Sequence, residues 1–202
     1  MTTTVGGPRP LPALPQARDA EIDAATLNPW IQKYASKYGV DPQIIGAVVA
    51  QESSFVNHGV HRDGTGHGLV GLDDNGLLRD FERWSGTHVG RGRRANTIAP
   101  EKQIEFLAKT LSAYTEKLGG DEWAAVRAWH AGVKGRNRNN GIEYERLIRD
   151  RIPEIAAAIP ATWSGAAPPD EMLASRAREP VTIKLAEGTT PVSGRGVDYE
   201  NA

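Results

Sequence analysis

The sequence predicts a small all-α domain, at about residues 22–163, between two extended arms. In the central part of the chain, apolar residues recur every three or four positions, which is the spacing of amphipathic helices. Capping residues and glycines divide that part into separate helices. In the arms, at 1–21 and 164–202, prolines and glycines interrupt a chain with few apolar residues to bury.

Composition limits the classes of function. The 202 residues include 39% hydrophobic and 24% charged side chains, which are values of a globular protein with a core. A formal net charge of −1 argues against nucleic-acid binding, because domains that bind nucleic acid are usually strongly basic. The chain has no cysteine, which excludes disulfides and cysteine-ligated zinc. We recognise no signal peptide, and the longest apolar run, 44–50, is too short to span a bilayer.

The first two predicted helices each begin with a capping residue and a proline. Asn28 and Pro29 begin a segment that Gly39 ends, and Asp41 and Pro42 begin the next. Asparagine and aspartate accept hydrogen bonds from the first N–H groups of a helix, and proline suits the first turn because its missing N–H is not needed there. The second helix carries the apolar run "IIGAVVA", followed by a glutamate.

A glycine-rich segment follows at 54–76. Its glycines are Gly59, Gly64, Gly66, Gly68, Gly71 and Gly76. This density indicates irregular backbone. We therefore expect a glycine-rich active-site loop or a small irregular β region beside the helices.

Two more helices are predicted on either side of a basic loop at 87–97. The first has apolar side chains at helical spacing: Leu77, Leu78, Phe81 and Trp84. Pro100 begins the clearest amphipathic helix, whose apolar positions step by three and four: Ile104, Leu107, Leu111, Tyr114 and Leu118.

The last two helices precede the C-terminal arm. Segment 121–132 is short and stops at Gly132. The final helix begins near Ile142 and is expected to bend at Pro153; its core positions are Tyr144, Leu147, Ile148, Ile152, Ile155 and Ile159. Within the arm, Val181, Ile183 and Leu185 alternate as a strand does, which suggests docking on the exposed sheet edge of a partner.

Glu52, near the end of the second helix, is the first candidate catalytic residue. It follows Val49, Val48 and Ile45 by three, four and seven residues, so all four share one helix face. Apolar surroundings disfavour a carboxylate, and the negative end of the helix dipole acts in the same direction, so we expect a raised pKa for Glu52. A general acid for glycosidic cleavage needs such a carboxyl group. The same pattern also fits a solvated glutamate at a fraying helix end.

Three motifs, in order, resemble the goose-type lysozyme and soluble lytic transglycosylase superfamily. "YGVDPQIIGAVVAQESSF" resembles the segment in which a Glu-Ser pair closes the first core helix. "GHGLVGLD", at 66–73, is similar to the goose-type G-x-G-L-M-Q-V-D, and "RAWHAG", at 127–132, falls where the superfamily has A-Y-N-A-G. The resemblance spans about residues 28–152. It implies a lysozyme-like fold that cleaves the β-1,4 bond between N-acetylmuramic acid and N-acetylglucosamine in peptidoglycan, without a cofactor.

The resemblance implies roles for three carboxyl groups. Glu52 is the general acid, and Asp73 is the carboxylate that positions water. Asp63 lies one position from another acidic residue of goose-type enzymes. An inverting hydrolase needs one protonated and one ionised carboxyl group, separated by about 6.5–9.5 Å. Hydrolysis is therefore the predicted reaction, and the alternative is lytic transglycosylation, which leaves a 1,6-anhydro sugar.

The motifs also predict the residues that bind the glycan: Ser53, His67, Gly68, Leu69, Val70, Trp129 and His130. Two pairs depart from the superfamily, because Met-Gln is replaced by Val70-Gly71 and Tyr-Asn by Trp129-His130. The second change removes a phenol oxygen that could orient the acid. Trp129 is a candidate to stack on a sugar ring instead, and His130 a candidate to donate a hydrogen bond.

A metal site is the first alternative. His58, His61 and His67, together with Asp63, are close enough in sequence to suggest zinc. Their spacing matches no established motif, and loop histidines are more often surface residues or substrate contacts. We therefore predict no metal.

A catalytically inactive module is the second alternative. The replaced pairs are compatible with a wall-binding or structural virion protein, whereas retention of both Glu52 and Asp73 favours an enzyme. The basic residues Arg91, Arg93, Arg94, Lys134, Arg136 and Arg138 are expected in solvated loops, where they could also attract anionic wall polymers.

The sequence suggests a bacteriophage protein, because we find no export signal for an enzyme that acts on the cell wall. It would be either a virion-borne enzyme or an endolysin, made in the host cytoplasm and released to the wall. The expected partners are peptidoglycan strands, and other virion proteins through the terminal arms.

Overall fold

The computed structural model describes residues 20–62, 64–74, 76–89 and 98–161. These ranges contain the helices α1 (Ala24–Tyr38), α2 (Pro42–Ser53), α3 (Leu77–Ser85), α4 (Pro100–Lys117), α5 (Glu122–Gly135) and α6 (Asn139–Ile155). Two short antiparallel strands, β1 (Ala20–Glu21) and β2 (Val56–Asn57), pair with Ala20 opposite Asn57. The predicted all-α class is confirmed. Of the predicted arms, residues 1–19 and 164–202 lie outside the described ranges.

Helix α1 begins five residues before its predicted start, so the prediction that Asn28 caps it is wrong. The cap is Asp23, whose Oδ1 accepts a hydrogen bond from the backbone N–H two residues on, at 3.1 Å. Starting upstream places Leu27 on the buried face of the helix. Asn28 Oδ1 instead accepts a hydrogen bond from Gln32 Nε2, one turn later in the helix, at 3.1 Å. Gly39, in a left-handed conformation with φ 63°, ends the helix as predicted.

Helix α2 lies at the centre of the domain. Asp41 accepts a hydrogen bond from the N–H of Gln43 at 2.8 Å, and Pro42 occupies the first turn, which confirms the predicted start. Residues 44–50 are all buried, because α2 packs against both α1 and α6. Gly46 makes the contact with the C-terminal end of the fold possible, since a Cβ there would lie 2.5 Å from Ile159 Cδ1.

Helix α4 begins at Pro100, as predicted. The predicted apolar positions of α3 and α4 are buried except for Trp84 and Leu118, which are partly buried; Leu118 follows the last residue of α4. The two helices build an aromatic cluster inside the fold. Phe106 of α4 meets Phe81 of α3 edge to face, with ring centroids 5.4 Å apart, and it meets Trp129 of α5 at 6.3 Å. Edge-to-face packing at these distances is favourable for aromatic rings. The cluster fixes α5 against the rest of the domain.

Helices α5 and α6 differ from their predicted bounds. Gly132 interrupts α5 with φ 71° and ψ 161°, but the helix resumes and ends at Gly135. Helix α6 begins at Asn139, one turn before the predicted start. Ile142 is 54% exposed, whereas Tyr144 is buried. No helix within the described residues is both long and apolar enough to cross a membrane.

Candidate active site

Glu52 lies in the last turn of α2, at the edge of the core. The residues one and two turns before it, Val48 and Ile45, are completely buried, as the apolar pattern predicted. Glu52 itself is only partly buried. It therefore presents its carboxyl group at the boundary between the core and the surface.

The Glu52 side chain lines a groove of about 370 Å³. Small-molecule sites in proteins commonly have volumes of this order. The groove is lined by α2, the glycine-rich segment, α5 and the first turns of α6, through Gln51, Glu52, His61, His130, Asn140, Glu143, Tyr144 and Leu147. The lining is mostly polar, and its amide, imidazole and carboxyl groups suit the hydroxyl and acetamido groups of a sugar.

Tyr144 of α6 holds one side of the Glu52 carboxyl group. Its hydroxyl donates a hydrogen bond to Glu52 Oε1, across 92 positions of sequence. Tyr144 is 4% exposed, and burial, together with the nearby charge of Glu52, raises its pKa well above 10. The phenol therefore remains a neutral donor at physiological pH. The hydroxyl of Tyr144 in α6 thus supplies the phenol oxygen that the replaced Tyr-Asn pair of α5 lacks.

Gly71 lies against the other side of the carboxyl group. Its φ is +68°, a conformation that strongly favours glycine, and a Cβ built there would lie 2.8 Å from Glu52 Cδ and closer still to Oε2. A side chain at position 71 thus competes with Glu52 for the same space. Position 71 is where the goose-type motif carries glutamine, so this departure from the motif fits the local backbone.

The chain turns sharply directly after Glu52 and Ser53. Ser54 and Phe55 both have positive φ, at 51° and 64°, which is uncommon for residues other than glycine. Left-handed backbone costs about 1–2 kcal/mol for each such residue. Strained backbone of this kind is often concentrated at functional sites. Here the turn directs the chain from α2 into β2 and the glycine-rich segment that packs back over Glu52.

Gln103 of α4 fixes the glycine-rich segment from inside the core. Its Oε1 accepts a hydrogen bond from the N–H of Leu69 at 2.6 Å, and its Nε2 donates to Asn57 Oδ1 at 3.0 Å and to the carbonyl of Ile98 at 3.2 Å. Gln103 is fully buried. The segment that positions Gly71 is therefore connected to α4 and β2 by one side chain, which sequence reasoning missed.

Histidines connect distant parts of the same segment. His61 Nε2 contacts the carbonyl of Gly68 at 2.6 Å. His67, 1% exposed, contacts the carbonyl of Gly59 through Nδ1 at 3.0 Å and Asp74 Oδ1 through Nε2 at 2.7 Å. Both nitrogens of His67 thus face acceptors within the protein. Among the residues described, no cluster of three or more histidine, aspartate or glutamate side chains could hold a metal ion.

Comparison with known families identifies the fold. A family model described as the transglycosylase SLT domain matches residues 29–152, which is more than half of the chain. The chain belongs to this family. It is therefore a peptidoglycan-cleaving enzyme of the lytic transglycosylase type, with peptidoglycan as its substrate. The matched residues agree closely with the range over which the sequence motifs resemble the superfamily.

Within the SLT domain, several predicted substrate contacts are core residues instead. Trp129 is 2% exposed and packs on Phe106, so the expectation that it stacks on a sugar ring is not met. Leu69 and Val70 are completely buried. Their side chains anchor the glycine-rich segment and do not reach the groove.

Three other predicted contacts also have internal partners. Ser53 is buried, and its hydroxyl donates to the carbonyl of Val49 within its own helix, at 3.0 Å. Both ring nitrogens of His67 face acceptors within the protein, the Gly59 carbonyl and Asp74. Gly68 is buried against Gln103, with φ +69°. Of the predicted substrate-binding residues, His130 is the one that lines the groove with Glu52.

Asp73, the second catalytic carboxylate that the sequence predicts, is not among the residues that line the groove of the SLT domain. Its backbone carbonyl accepts hydrogen bonds from Gly76 at 3.3 Å and Leu78 at 2.9 Å, where the chain enters α3. Asp63 lies outside the described residues. The second carboxylate among the lining residues is Glu143, whose groove position the sequence did not indicate.

Proposed function

We propose that this SLT domain breaks the β-1,4 bond between N-acetylmuramic acid and N-acetylglucosamine by lytic transglycosylation, with Glu52 moving the proton in both steps. The observation that carries the proposal is the Glu52 carboxyl group in the groove, held by the Tyr144 hydroxyl on one side and packed against Gly71 on the other. A carboxyl group held in this way is oriented for proton transfer.

In the first step, protonated Glu52 gives its proton to the glycosidic oxygen while the bond from that oxygen to C1 breaks. Positive charge develops on C1 and the ring oxygen of the muramic acid. Because Oε1 accepts the Tyr144 hydrogen bond, the other carboxyl oxygen, Oε2, is the one that carries the proton.

In the second step, the C6 hydroxyl of the same muramic acid attacks C1, and the Glu52 carboxylate takes the hydroxyl proton. The products are a 1,6-anhydro-muramic acid end and an N-acetylglucosamine end with a free 4-hydroxyl. No water is consumed, and Glu52 is protonated again for the next cycle. One carboxyl group therefore serves as acid and then as base.

Hydrolysis is the second candidate, because the groove contains a second carboxylate. Glu143 forms two contacts with Arg146, Oε1 to Nη2 at 2.5 Å and Oε2 to Nε at 3.1 Å, and this pairing lowers the pKa of Glu143. An ionised carboxylate can hold and activate water in an inverting glycosidase. If water attacks, Glu143 is then a candidate for the role that the sequence assigned to Asp73.

Product analysis separates the two reactions. Purified peptidoglycan is digested, the products are reduced with borohydride, and they are identified by chromatography and mass spectrometry. Transglycosylation gives anhydro-muropeptides, which resist reduction and are lighter than the reduced hydrolytic products by one water and two hydrogen atoms. Reducing-end muropeptides as the main species would contradict the proposal. In that case, the loss of turnover in Glu143→Gln compared with Asp73→Asn identifies the carboxylate that holds water.

The inactive-module hypothesis is tested with the same material. Wild-type protein and Glu52→Gln are compared in a zymogram containing cell walls. Clearing by the wild type alone supports catalysis at Glu52. Equal wall binding without clearing by either protein would favour a binding or structural module.

Delivery by a bacteriophage stays a prediction from the sequence. The protein would be either a virion-borne enzyme that contacts other virion proteins through its terminal arms, or an endolysin. Detection of the protein in purified virions, as opposed to the lysate alone, distinguishes these two roles.

A further inference from the structure

His130 and Tyr144 form a parallel ring stack in the wall of the groove. Their ring centroids are 4.4 Å apart, and the ring planes differ by 5°. Both residues line the groove, and Tyr144 is the residue whose hydroxyl donates to Glu52. The imidazole face therefore covers the phenol that holds the acid.

The Tyr144 hydroxyl reaches Glu52 Oε1 only for a narrow range of ring orientations. A tyrosine ring turns about two side-chain bonds, and rotation about the first carries the hydroxyl away from its acceptor. Hydrogen bonds weaken steeply with misalignment. A flat group against the ring face opposes such rotation, and the His130 imidazole is such a group.

The backbone of His130 is itself held firmly. Its neighbours Trp129 and Ala131 are both buried, and Trp129 is packed in the aromatic cluster with Phe106. His130 therefore extends into the groove from a fixed part of α5. A side chain on a rigid element can fix a second side chain that contacts the reacting groups. The superfamily motif has asparagine at this position, which offers no ring face, so the stack is a feature of this chain.

We propose that His130 is a positioning residue, whose imidazole face keeps the Tyr144 hydroxyl on Glu52 during proton transfer. The kinetic part of this inference rests on the function proposed above. This positioning role differs from the role predicted from the sequence, in which His130 contacts the sugar directly. The two roles make opposite predictions for a variant that keeps the ring and removes its nitrogens.

The first experiment measures kcat and KM on soluble peptidoglycan fragments for His130→Ala and His130→Phe. We expect His130→Ala to lower kcat about 10-fold, a coupling typical of residues in contact, with little change in KM. His130→Phe should recover most of the kcat that His130→Ala loses, because phenylalanine retains a flat face. If both variants raise KM equally, His130 is a substrate contact and the proposal is wrong. Wild-type kinetics in His130→Ala would also overturn it.

The second experiment repeats the alanine substitution in a Tyr144→Phe background. If His130 acts through the Tyr144 hydroxyl, removing that hydroxyl first should abolish most of the effect of His130→Ala on kcat. Full additivity of the two substitutions would contradict the proposal. His88→Ala is the matched control, because that histidine has a side chain 86% exposed and does not line the groove.

A third measurement does not depend on activity. Ring flipping of Tyr144 is followed by NMR with labelled tyrosine, and its signal is assigned by its absence in Tyr144→Phe. Flipping should become faster in His130→Ala and not in His130→Phe. An unchanged rate in His130→Ala would refute the packing role even in an active enzyme. Faster flipping in a protein without activity on peptidoglycan would support the stack and refute the proposed function.

Discussion

Replacing Gly71 by alanine tests the geometry around Glu52 most directly. The added Cβ would lie 2.8 Å from Glu52 Cδ and 3.1 Å from Cγ, and closer to Oε2 than to either. Carbon atoms in van der Waals contact lie about 3.5–4.0 Å apart. The carboxyl group would therefore have to move by roughly 1 Å, away from Gly71, and its hydrogen bond with Tyr144 would be disturbed.

The expected loss of activity follows from that displacement. A misplacement of about 1 Å at a catalytic centre can cost about 100-fold in rate. The positive φ of Gly71 adds a separate cost to stability, about 1–2 kcal/mol for a residue with a Cβ. Restoring the superfamily residue with Gly71→Gln should also lower activity, because its Cβ meets the same atoms.

Gly64→Ala is the matched control for the backbone effect. Gly64 is in the same glycine-rich segment with φ +79°, but a Cβ there would meet nothing within 4 Å. Both variants should lose similar stability in chemical denaturation, whereas only Gly71→Ala should lose turnover of peptidoglycan. Equal activity of the two variants would refute the close approach between Gly71 and Glu52.

Three further predictions concern single substitutions. Glu52→Gln should lower turnover at least ~100-fold, the lower range for general acid catalysis, with thermal stability retained; an active variant would remove Glu52 from the mechanism. Gln103→Ala should lower the free energy of unfolding by about 2–4 kcal/mol in denaturant titration, because Leu69 and Asn57 lose buried hydrogen-bond partners; a neutral effect would contradict the network. Burial raises the pKa of Asp80 from 3.8 to about 6, so wild-type stability should fall as pH rises between these values. Asp80→Asn cannot ionise at this position. Its free energy of unfolding relative to wild type, measured by denaturation at several pH values, should therefore rise by at most about 3 kcal/mol over that interval and stay constant above it. A difference that does not depend on pH would argue against this shift.

Helices were predicted correctly where the capping residue, the terminating residue and the spacing of apolar side chains all indicated the same segment. The cap at Asp41 with Pro42, the start at Pro100 and the stop at Gly39 were all predicted correctly. These features depend on hydrogen bonds and backbone conformations within a few residues of each other. The start of α1 was missed because both Asp23 and Asn28 can cap, and burial of the upstream turn favours the first.

Glu52 could be recognised from the sequence because its helix position and its motif are both local. Its partners could not, because they come from other elements: Tyr144 lies 92 residues away, and Gln103 is 34 residues from the Leu69 N–H that it holds. Apolar periodicity shows which face of a helix is buried, but not how two helices are rotated against each other. That rotation places Tyr144 on the acid and Trp129 in the core. The sequence by itself thus determined the all-α class and the candidate acid, whereas only tertiary packing decided which groups surround that acid.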